Sequence, residues 1–398
     1  MDERVPYTIC VTGARTALNN GTLAIICSGI EELNAALNGN ASFYILSPGV
    51  DVDEQRYLNN IDKSCQVAVV GLNYNPKIPY PIRIAQLTLK SIKYYSKSDI
   101  IIDMRGEGYV NTPVAITQSL QLLLSKIARK PFVVYAQSLG PFNTKVNRVL
   151  SKFTLNRAAL ITIREPISLD YVKDLDINKG VHLCTDQAML LQPLAKKQSQ
   201  EELIKFGISL DRPIIGISPV PKDNLMKLMA DISDYLIEKY NVSVVFVPHA
   251  IDEIYGGCAG NNDLLAAHRV HEIMKNKDSA YVIDETYHGK RLKGIMGCCD
   301  IYISCRWHAA IASISLANPT IVISSAHKSA AMDMVGLSDY VLDPAVVDFD
   351  TLRNKVEDCW TNQKLLREHL EGKSDYIREM GLKSAELTSK LLNEHHHE

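Results

Sequence analysis

Short apolar runs alternate with amphipathic stretches along most of the chain. The run YTICVTGA is typical of a strand, and in the stretch that follows it Leu23, Ile26, Ile30 and Leu33 recur at the spacing of one helix face. Strands that alternate with helices predict a parallel α/β sheet. The further apolar runs of this half are ASFYIL, CQVAVVGL, DIIIDMRG, PFVVYAQS, ALITIRE and VHLCTD.

A polar stretch divides this pattern into two series. Residues 193–207 are mostly polar, which indicates a linker that carries a short helix, and a second series of strands and helices begins at PIIGISPV. The boundaries predicted are therefore 1–192 for an N-terminal αβ domain on the acceptor side, 193–207 for the linker, 208–349 for a C-terminal αβ domain on the donor side, and 350–398 for C-terminal helices and tail. We predict two doubly wound, Rossmann-like domains that face each other across a cleft, with the C-terminal helices packing back. This arrangement resembles the GT-B glycosyltransferase architecture.

Composition narrows the classes of function. The 398 residues have a net charge of −2, which argues against a basic face for nucleic acid. Nine cysteines occur without CxxC pairs or zinc spacing, and this favours reduced thiols in a cytoplasmic protein. The N-terminus lacks the apolar segment of a signal peptide, and no apolar run is long enough to span a bilayer. We found no P-loop, dinucleotide fingerprint or metal-ligand cluster, so we expect no bound metal or cofactor.

Polar residues follow the predicted strands at the points where the strands end. In parallel sheets ligands bind beyond these carboxyl ends. Each such residue also has an ordinary interpretation, as a solvated loop residue, a cap or a structural histidine. The candidates are Arg15, Asn20, Arg105, Glu107, Ser138, Arg164 and Asp186 in the first domain, and His249, Arg306, His308 and Lys328 in the second.

The stretch IYISCRWHAAIASISLANPTIVISSAHK is the most informative. Arg306 lies between a predicted strand and a helix whose N-terminal amides favour an anion. Its planar guanidinium suits a carboxylate or a phosphate. Lys328 ends the next strand, and His308 is placed to carry a proton near neutral pH. The pattern predicts a site for a small polyanion.

Several segments together resemble the polysaccharide pyruvyl transferase family. The resemblance spans Val11 to about Asp343, and its most specific part is Arg-x-His followed by a proline-containing strand and a lysine. It implies a GT-B-like fold and transfer of the enolpyruvyl unit of phosphoenolpyruvate to a sugar as a cyclic pyruvate ketal. The segments are VTGARTALNNGTLAI, DIIIDMRGEGYVN, VVYAQSLGPF, ITIREPISLDYVKDL, CTDQAMLL, VFVPHAID with NNDLLAA, and ISCRWHAAIASISLANPTIVISSAHKSAAMDMVGL.

The chemistry of this transfer suggests roles for individual residues. His308 would act as the acid, and Asp186 or Glu107 as the base for the acceptor hydroxyl. Thr22 and Glu107 depart from the family pattern, and both departures fall in the domain expected to hold the acceptor. Phosphoenolpyruvate would be bound by Arg306, Lys328, Arg164 and His249, and the acceptor side would contain Arg15, Asn20, Arg105 and Ser138.

Two other functions fit the same architecture. One is a glycosyltransferase that uses a nucleotide sugar, which would favour a carboxylate for the ribose and fewer cations. The other is a non-catalytic, glycan-binding protein. For the pyruvyl transferase we expect phosphoenolpyruvate as co-substrate and a sugar or lipid-linked glycan as acceptor. The expected location is the cytoplasm, with peripheral contact at the inner face of the membrane as an open alternative.

Overall fold

The computed structural model describes residues 6–14, 16–47, 51–72, 78–177, 179–251, 262–284, 289–324 and 332–395. The chain divides into two compact units. Unit 1 contains Met1–Ala17, Thr22–Gln187 and Arg378–Glu398, and unit 2 contains Leu18–Gly21 and Ala188–Ile377.

The core of unit 1 is an eight-stranded parallel sheet. The strand order is β3-β2-β1-β4-β6-β7-β8, and β5 pairs with β6. Central strands such as β4 are apolar and buried on both faces, as expected for a parallel sheet covered by helices. The elements are β1 (Tyr7–Thr12), α1 (Asn20–Ala36), β2 (Ala41–Ser47), α2 (Asp51–Asn60), β3 (Gln66–Gly71), α3 (Tyr80–Tyr95), β4 (Ile100–Asp103), β5 (Glu107–Gly108), α4 (Thr112–Ile127), β6 (Phe132–Leu139), α5 (Lys145–Leu155), β7 (Leu160–Ile163), α6 (Pro166–Lys173) and β8 (Val181–Leu183).

The strand order of unit 1 reverses direction between β1 and β4. From β1 the chain moves outward through β2 to β3, and then returns across the sheet to β4, β6 and β7. Because parallel crossovers are right-handed, α1 and α2 cover one face of the sheet, and α3, α4 and α5 cover the other. Helix α4 packs against both α3 and α5. A crevice is expected at the β1–β4 switch point, beyond the carboxyl ends of these strands.

Unit 2 is built around a second parallel sheet. Its six strands have the order β11-β10-β9-β12-β13-β14, so both units are parallel α/β structures and the predicted fold class is confirmed. The elements are α7 (Lys196–Lys205), β9 (Ile214–Ser218), α8 (Asp223–Tyr240), β10 (Ser243–Phe246), α9 (Asp263–Ile273), β11 (Ala280–Val282), α10 (Lys290–Met296), β12 (Ile301–Ser304), α11 (Trp307–Ile314), β13 (Thr320–Ile323), β14 (Val341–Leu342), α12 (Phe349–Thr361) and α13 (Gln363–Gly372), after which α14 (Ser374–His395) enters unit 1.

The unit boundaries differ from those expected from the sequence. The stretch expected as a linker, 193–207, contains α7, whose Leu203 is fully buried in the core of unit 2. Helices α12 and α13 also belong to unit 2, so only the last helix joins the first unit. There the Ser389 hydroxyl donates to the carbonyl of Ala36 at 3.0 Å. The short helix expected in this stretch is present, but polarity alone did not show that one side of it is buried in unit 2.

Candidate active site

Arg306 and His308 lie where β12 passes into α11. Arg306 is the N-cap residue of α11 and has an extended backbone, and its amide donates to the Ser304 hydroxyl at 3.2 Å. The Ser304 hydroxyl in turn donates to the Arg306 carbonyl at 2.7 Å. This short turn places the side chains of both candidate residues at the N-terminal end of the helix, where the helix dipole favours negative charge.

The guanidinium of Arg306 is held in one orientation by Asp263. Its Nε lies 2.9 and 3.0 Å from the two carboxylate oxygens of Asp263, and its Nη2 lies 2.6 Å from Oδ1. The carboxylate also accepts hydrogen bonds from the backbone amides of His249 and Ala250. Burial raises the pKa of Asp263 above its ordinary value, although Arg306 and these amides act in the opposite direction. Asp263 therefore connects the Arg306 side chain to the backbone that carries His249.

His249 is a buried histidine beside Arg306 and His308. The residue is 6% exposed, and neither ring nitrogen has a hydrogen-bond partner among the described residues. Burial, with smaller contributions from His308 and Arg306, lowers the pKa of His249 to about 3. At neutral pH the ring is uncharged, with one nitrogen as donor and the other as acceptor. Buried polar groups in proteins nearly always have partners, so an unpaired ring of this kind is typical of a ligand site.

Asn20, expected on the acceptor side of the first domain, belongs to unit 2. Its backbone amide and its Nδ2 both donate to the His249 carbonyl at 3.1 Å, and its Oδ1 accepts from the amide of Gly289 at 3.1 Å. The segment Leu18–Gly21 is therefore bound to the second unit although it follows the first strand of unit 1. No local pattern indicated this placement, because it depends on hydrogen bonds between residues more than 200 positions apart.

Gly21, the next residue, lies against the imidazole of His308. A Cβ atom built on Gly21 would overlap Nδ1 and Cγ of that ring. The close approach requires a residue without a side chain at position 21. His308 is thus enclosed by the Leu18–Gly21 segment as well as by its own helix.

In unit 1, three of the predicted site residues form one buried ionic cluster. Nη1 of Arg164 lies 2.6 Å from Oδ2 of Asp186, and its Nε donates to the Ser138 hydroxyl at 2.7 Å. The Ser138 hydroxyl donates to Glu165 at 2.8 Å. Burial by itself lowers the pKa of Arg164, but the carboxylates of Asp186, Glu165 and Glu107 raise it above its ordinary value. Arg164 and Asp186 are each 3% exposed, so they support one another rather than face solvent.

Arg105 and Glu107 line a separate cavity of about 300 Å³ at the switch point of unit 1. Nε of Arg105 lies 2.8 and 2.9 Å from the carboxylate oxygens of Asp103, and its Nη2 donates to Gln121. Gly13, at φ +80°, leaves room for Asp103, because a Cβ there would overlap that carboxylate. The remaining lining residues mix apolar and hydroxyl groups: Thr12, Ala14, Leu46, Leu72, Pro113, Val114 and Thr117.

The identity of the chain follows from comparison with known proteins. A model of the polysaccharide pyruvyl transferase family matches residues 53–327, which is more than half of the chain. The chain belongs to that family. It is 23% identical over 376 residues to the amylovoran biosynthesis protein AmsJ of Erwinia amylovora, a match that covers 84% of this chain and 88% of the relative. Membership of the polysaccharide pyruvyl transferase family supports a transferase role in polysaccharide biosynthesis.

Solved structures with the same fold include GT-B enzymes and epimerases. The UDP-N-acetylglucosamine 2-epimerase of Neisseria meningitidis aligns with a TM-score of 0.64 at 13% identity, covering 97% of this chain and 99% of that one. Sucrose-phosphate synthase of Thermosynechococcus elongatus gives 0.63 at 10%, over 97% and 99%. A glycosyltransferase of Rickettsia africae gives 0.61 at 14%, over 98% and 99%. At these identities the likeness shows that this pyruvyl transferase family member shares their fold.

The structure of this pyruvyl transferase family member does not describe two of the predicted site residues. Lys328 and Arg15 lie outside the described residues. In the described ranges no group of three or more His, Cys, Asp and Glu is arranged to hold a metal ion. Two aspartates that hold predicted site residues were not predicted from the sequence. They are Asp263, which binds Arg306, and Asp103, which binds Arg105. Asp263 is the first residue of α9, directly after the N-cap residue Asn262, and no local pattern indicated that it contacts Arg306.

Proposed function

We propose that the chain transfers the enolpyruvyl unit of phosphoenolpyruvate to a sugar of a polysaccharide or glycan precursor, forming a pyruvate ketal and releasing phosphate. The observation that carries this proposal is the cluster of Arg306, His308 and the unpaired, buried His249 at the start of α11. Family membership supports the pyruvyl transfer. Asp186 and Glu107, the two alternative bases, belong to the other unit.

Arg306 is suited to bind an anionic end of the donor. Nε and Nη2 of Arg306 both donate to the carboxylate of Asp263, which fixes the plane of the guanidinium. Because the side chain is already ordered, donor binding does not carry the entropy cost of ordering it. The amides at the start of α11 add positive potential. His249 presents a neutral donor and acceptor beside this group. We assign Arg306 and His249 to phosphoenolpyruvate, and we keep Lys328 and Arg164 as predicted contributors to the donor charge.

His308 is the acid that the site favours over His249. The low pKa of His249 keeps that ring uncharged at neutral pH, so it does not provide an imidazolium proton. In the reaction His308 protonates the methylene carbon of phosphoenolpyruvate, and a sugar hydroxyl adds to the cationic enol carbon as its proton passes to a base. The C–O bond to phosphate then breaks, a second hydroxyl adds to the same carbon, and its proton leaves with the phosphate. The two hydroxyl protons end on the new methyl group and on phosphate, after recycling through the acid and base.

The acceptor sugar is assigned to the cavity of unit 1. Its volume of about 300 Å³ is at the lower end of small-ligand pockets, which suits one sugar ring rather than a longer segment. Glu107 lines this cavity, whereas Asp186 is buried against Arg164. We therefore favour Glu107 as the base for the hydroxyl and Asp186 as a residue that positions Arg164.

The nucleotide-sugar alternative is less well supported by the site. Such an enzyme requires a carboxylate for the ribose hydroxyls, and Asp263, the carboxylate beside Arg306, has no exposed side-chain surface and is already bonded to the guanidinium and two amides. A donor with a carboxylate and a phosphate has two anionic groups that can bind the guanidinium of Arg306 and the two histidine rings.

Calorimetric titration separates the two donors without knowledge of the acceptor. The purified protein is titrated with phosphoenolpyruvate and with UDP-, GDP- and CMP-sugars, alongside Arg306→Ala and the exposed control Arg269→Ala. We expect phosphoenolpyruvate to bind the unaltered protein and Arg269→Ala, and to lose at least tenfold in affinity for Arg306→Ala. Binding of a nucleotide sugar instead, or no binding of phosphoenolpyruvate, would contradict the proposal.

A further inference from the structure

Positive charge is concentrated in three neighbouring helices of unit 1. Residues 80–98 and 109–158, which contain α3, α4 and α5, include eleven Lys and Arg and no Asp or Glu. The whole chain has 43 basic and 45 acidic residues. The net charge of the whole chain is near zero, but this region of unit 1 is strongly basic.

The outward side of α4 carries aliphatic side chains that contact no core. Ile116, Leu123 and Ile127 are 36%, 42% and 67% exposed. Their spacing of seven and four residues places them on one stripe of the helix. The buried residues of α4, including Ala115 and Leu122, lie away from this stripe. A surface helix normally shows polar residues on the solvent side, so an outward stripe of exposed aliphatic residues on α4 is unusual.

The helices on either side of α4 continue this surface. Leu89 of α3 is 71% exposed, and Val146 and Val149 of α5 are 54% and 68% exposed. Because α4 packs against both helices on the same side of the sheet, the exposed aliphatic residues lie on one surface. We call the outward surface of these three helices the α3–α5 face.

Exposed cations surround the aliphatic residues of the α3–α5 face. Lys90, Lys93, Lys126 and Lys145 are all exposed and have no ion pair among the described residues. Lys152 lies 3.2 Å from Asp176, and its charge is therefore partly offset. The α3–α5 face combines basic side chains with protruding Leu, Ile and Val.

We propose that the α3–α5 face binds the surface of an anionic lipid bilayer. Peripheral membrane helices have this combination, because aliphatic side chains enter the boundary between headgroups and acyl chains while Lys and Arg contact anionic headgroups. A soluble polyanion uses the cations but not the aliphatic groups, and single-stranded nucleic acid also requires aromatic side chains for stacking. No helix among the described ranges is long and apolar enough to cross a bilayer, so the contact is interfacial.

This inference goes beyond the proposed reaction and does not depend on it. The predicted contact places unit 1, with its sugar-sized cavity, at a membrane surface, where a lipid-linked acceptor would be found. Vesicle binding is measured with neither donor nor acceptor present. A failure of vesicle binding therefore leaves pyruvyl transfer untouched, and a failure of pyruvyl transfer leaves vesicle binding untouched.

Vesicle flotation tests the proposal with the full chain. Vesicles of phosphatidylglycerol and phosphatidylcholine are compared with vesicles of phosphatidylcholine alone. One variant, Leu123→Ser/Ile127→Ser/Val149→Ser, removes aliphatic groups from the face, and a second, Lys93→Gln/Lys126→Gln/Lys145→Gln, removes charge. The matched control, Ile273→Ser/Val346→Ser/Leu365→Ser, alters aliphatic residues of unit 2 that are 56%, 77% and 66% exposed.

We expect binding only to the anionic vesicles. Each lost cation should weaken it about fivefold, so the charge variant should bind on the order of 100-fold less tightly. The aliphatic variant should also lose binding, and the unit 2 control should retain it. The proposal is overturned if the protein ignores phosphatidylglycerol vesicles, or if the unit 2 control loses binding equally. It is also overturned if the aliphatic variant binds as well as the unaltered protein, because the face would then be a site for soluble polyanions.

Discussion

The sharpest consequence of the site geometry is that His249 stays uncharged well below neutral pH. Its pKa is lowered from an ordinary value of 6.5 to about 3 because the ring is buried beside His308 and Arg306. Protonation of this ring in the folded protein therefore costs about 5 kcal/mol relative to the unfolded chain. This cost appears as a dependence of stability on pH.

The direction of that dependence follows from proton binding. Below pH 6.5 the unfolded chain takes up a proton at His249, whereas the folded protein does not until about pH 3. The unfolded state thus binds more protons in this interval, and stability is lost as the pH falls. Between about pH 7 and about pH 5 the loss amounts to about 2 kcal/mol, or roughly 4 to 8 °C in the melting temperature of a unit of this size.

Two measurements check this prediction. In protein with ¹³C-labelled histidine rings, the signal that is missing from His249→Gln should fail to titrate from about pH 8 to about pH 5. Calorimetry at about pH 7 and about pH 5 gives the loss of stability caused by this fall in pH. The loss should be about 2 kcal/mol smaller in His249→Gln than in the unaltered protein. The exposed control His268→Gln should behave like the unaltered protein. A His249 signal with a midpoint between about pH 6 and about pH 7 would refute the reasoning.

Four further substitutions test the proposed roles. His308→Ala should lower turnover on the order of 100- to 10,000-fold and leave phosphoenolpyruvate affinity largely intact in calorimetry, whereas unchanged phosphate release would remove it from the mechanism. Gly21→Ala should reduce kcat about 100-fold by displacing the His308 ring, with an unchanged melting temperature, and full activity would show that the contact is unimportant. Asp263→Asn should destabilise unit 2 by roughly 3 kcal/mol in denaturant unfolding and weaken donor binding, since Arg306 loses its partner; an unaltered midpoint would contradict the ion pair. Glu107→Gln should lower kcat but not donor affinity, and equal losses in both would place it with the donor.

The parts of the structure that were predicted correctly depend on local patterns. Alternating strands and amphipathic helices identified two parallel sheets, because periodicity reflects burial within each element. The strand-end rule placed Arg306 and His308 at the start of α11 from their positions alone. The boundaries were less accurate, because the polar composition of α7 did not show that its Leu203 is buried in unit 2.

The sequence by itself determined the fold class, the order of the elements and the cationic residues at the end of β12, because each is a property of neighbours along the chain. Only the tertiary structure decided that Asp263 holds Arg306 across 43 positions, that Leu18–Gly21 joins unit 2, and that His249 is buried without a partner. It also decided that the aliphatic stripe of α4 faces outward, since an apolar residue on a helix has the same appearance in the sequence on either side. These features depend on contacts between distant segments, and local sequence patterns do not indicate which distant segments are in contact.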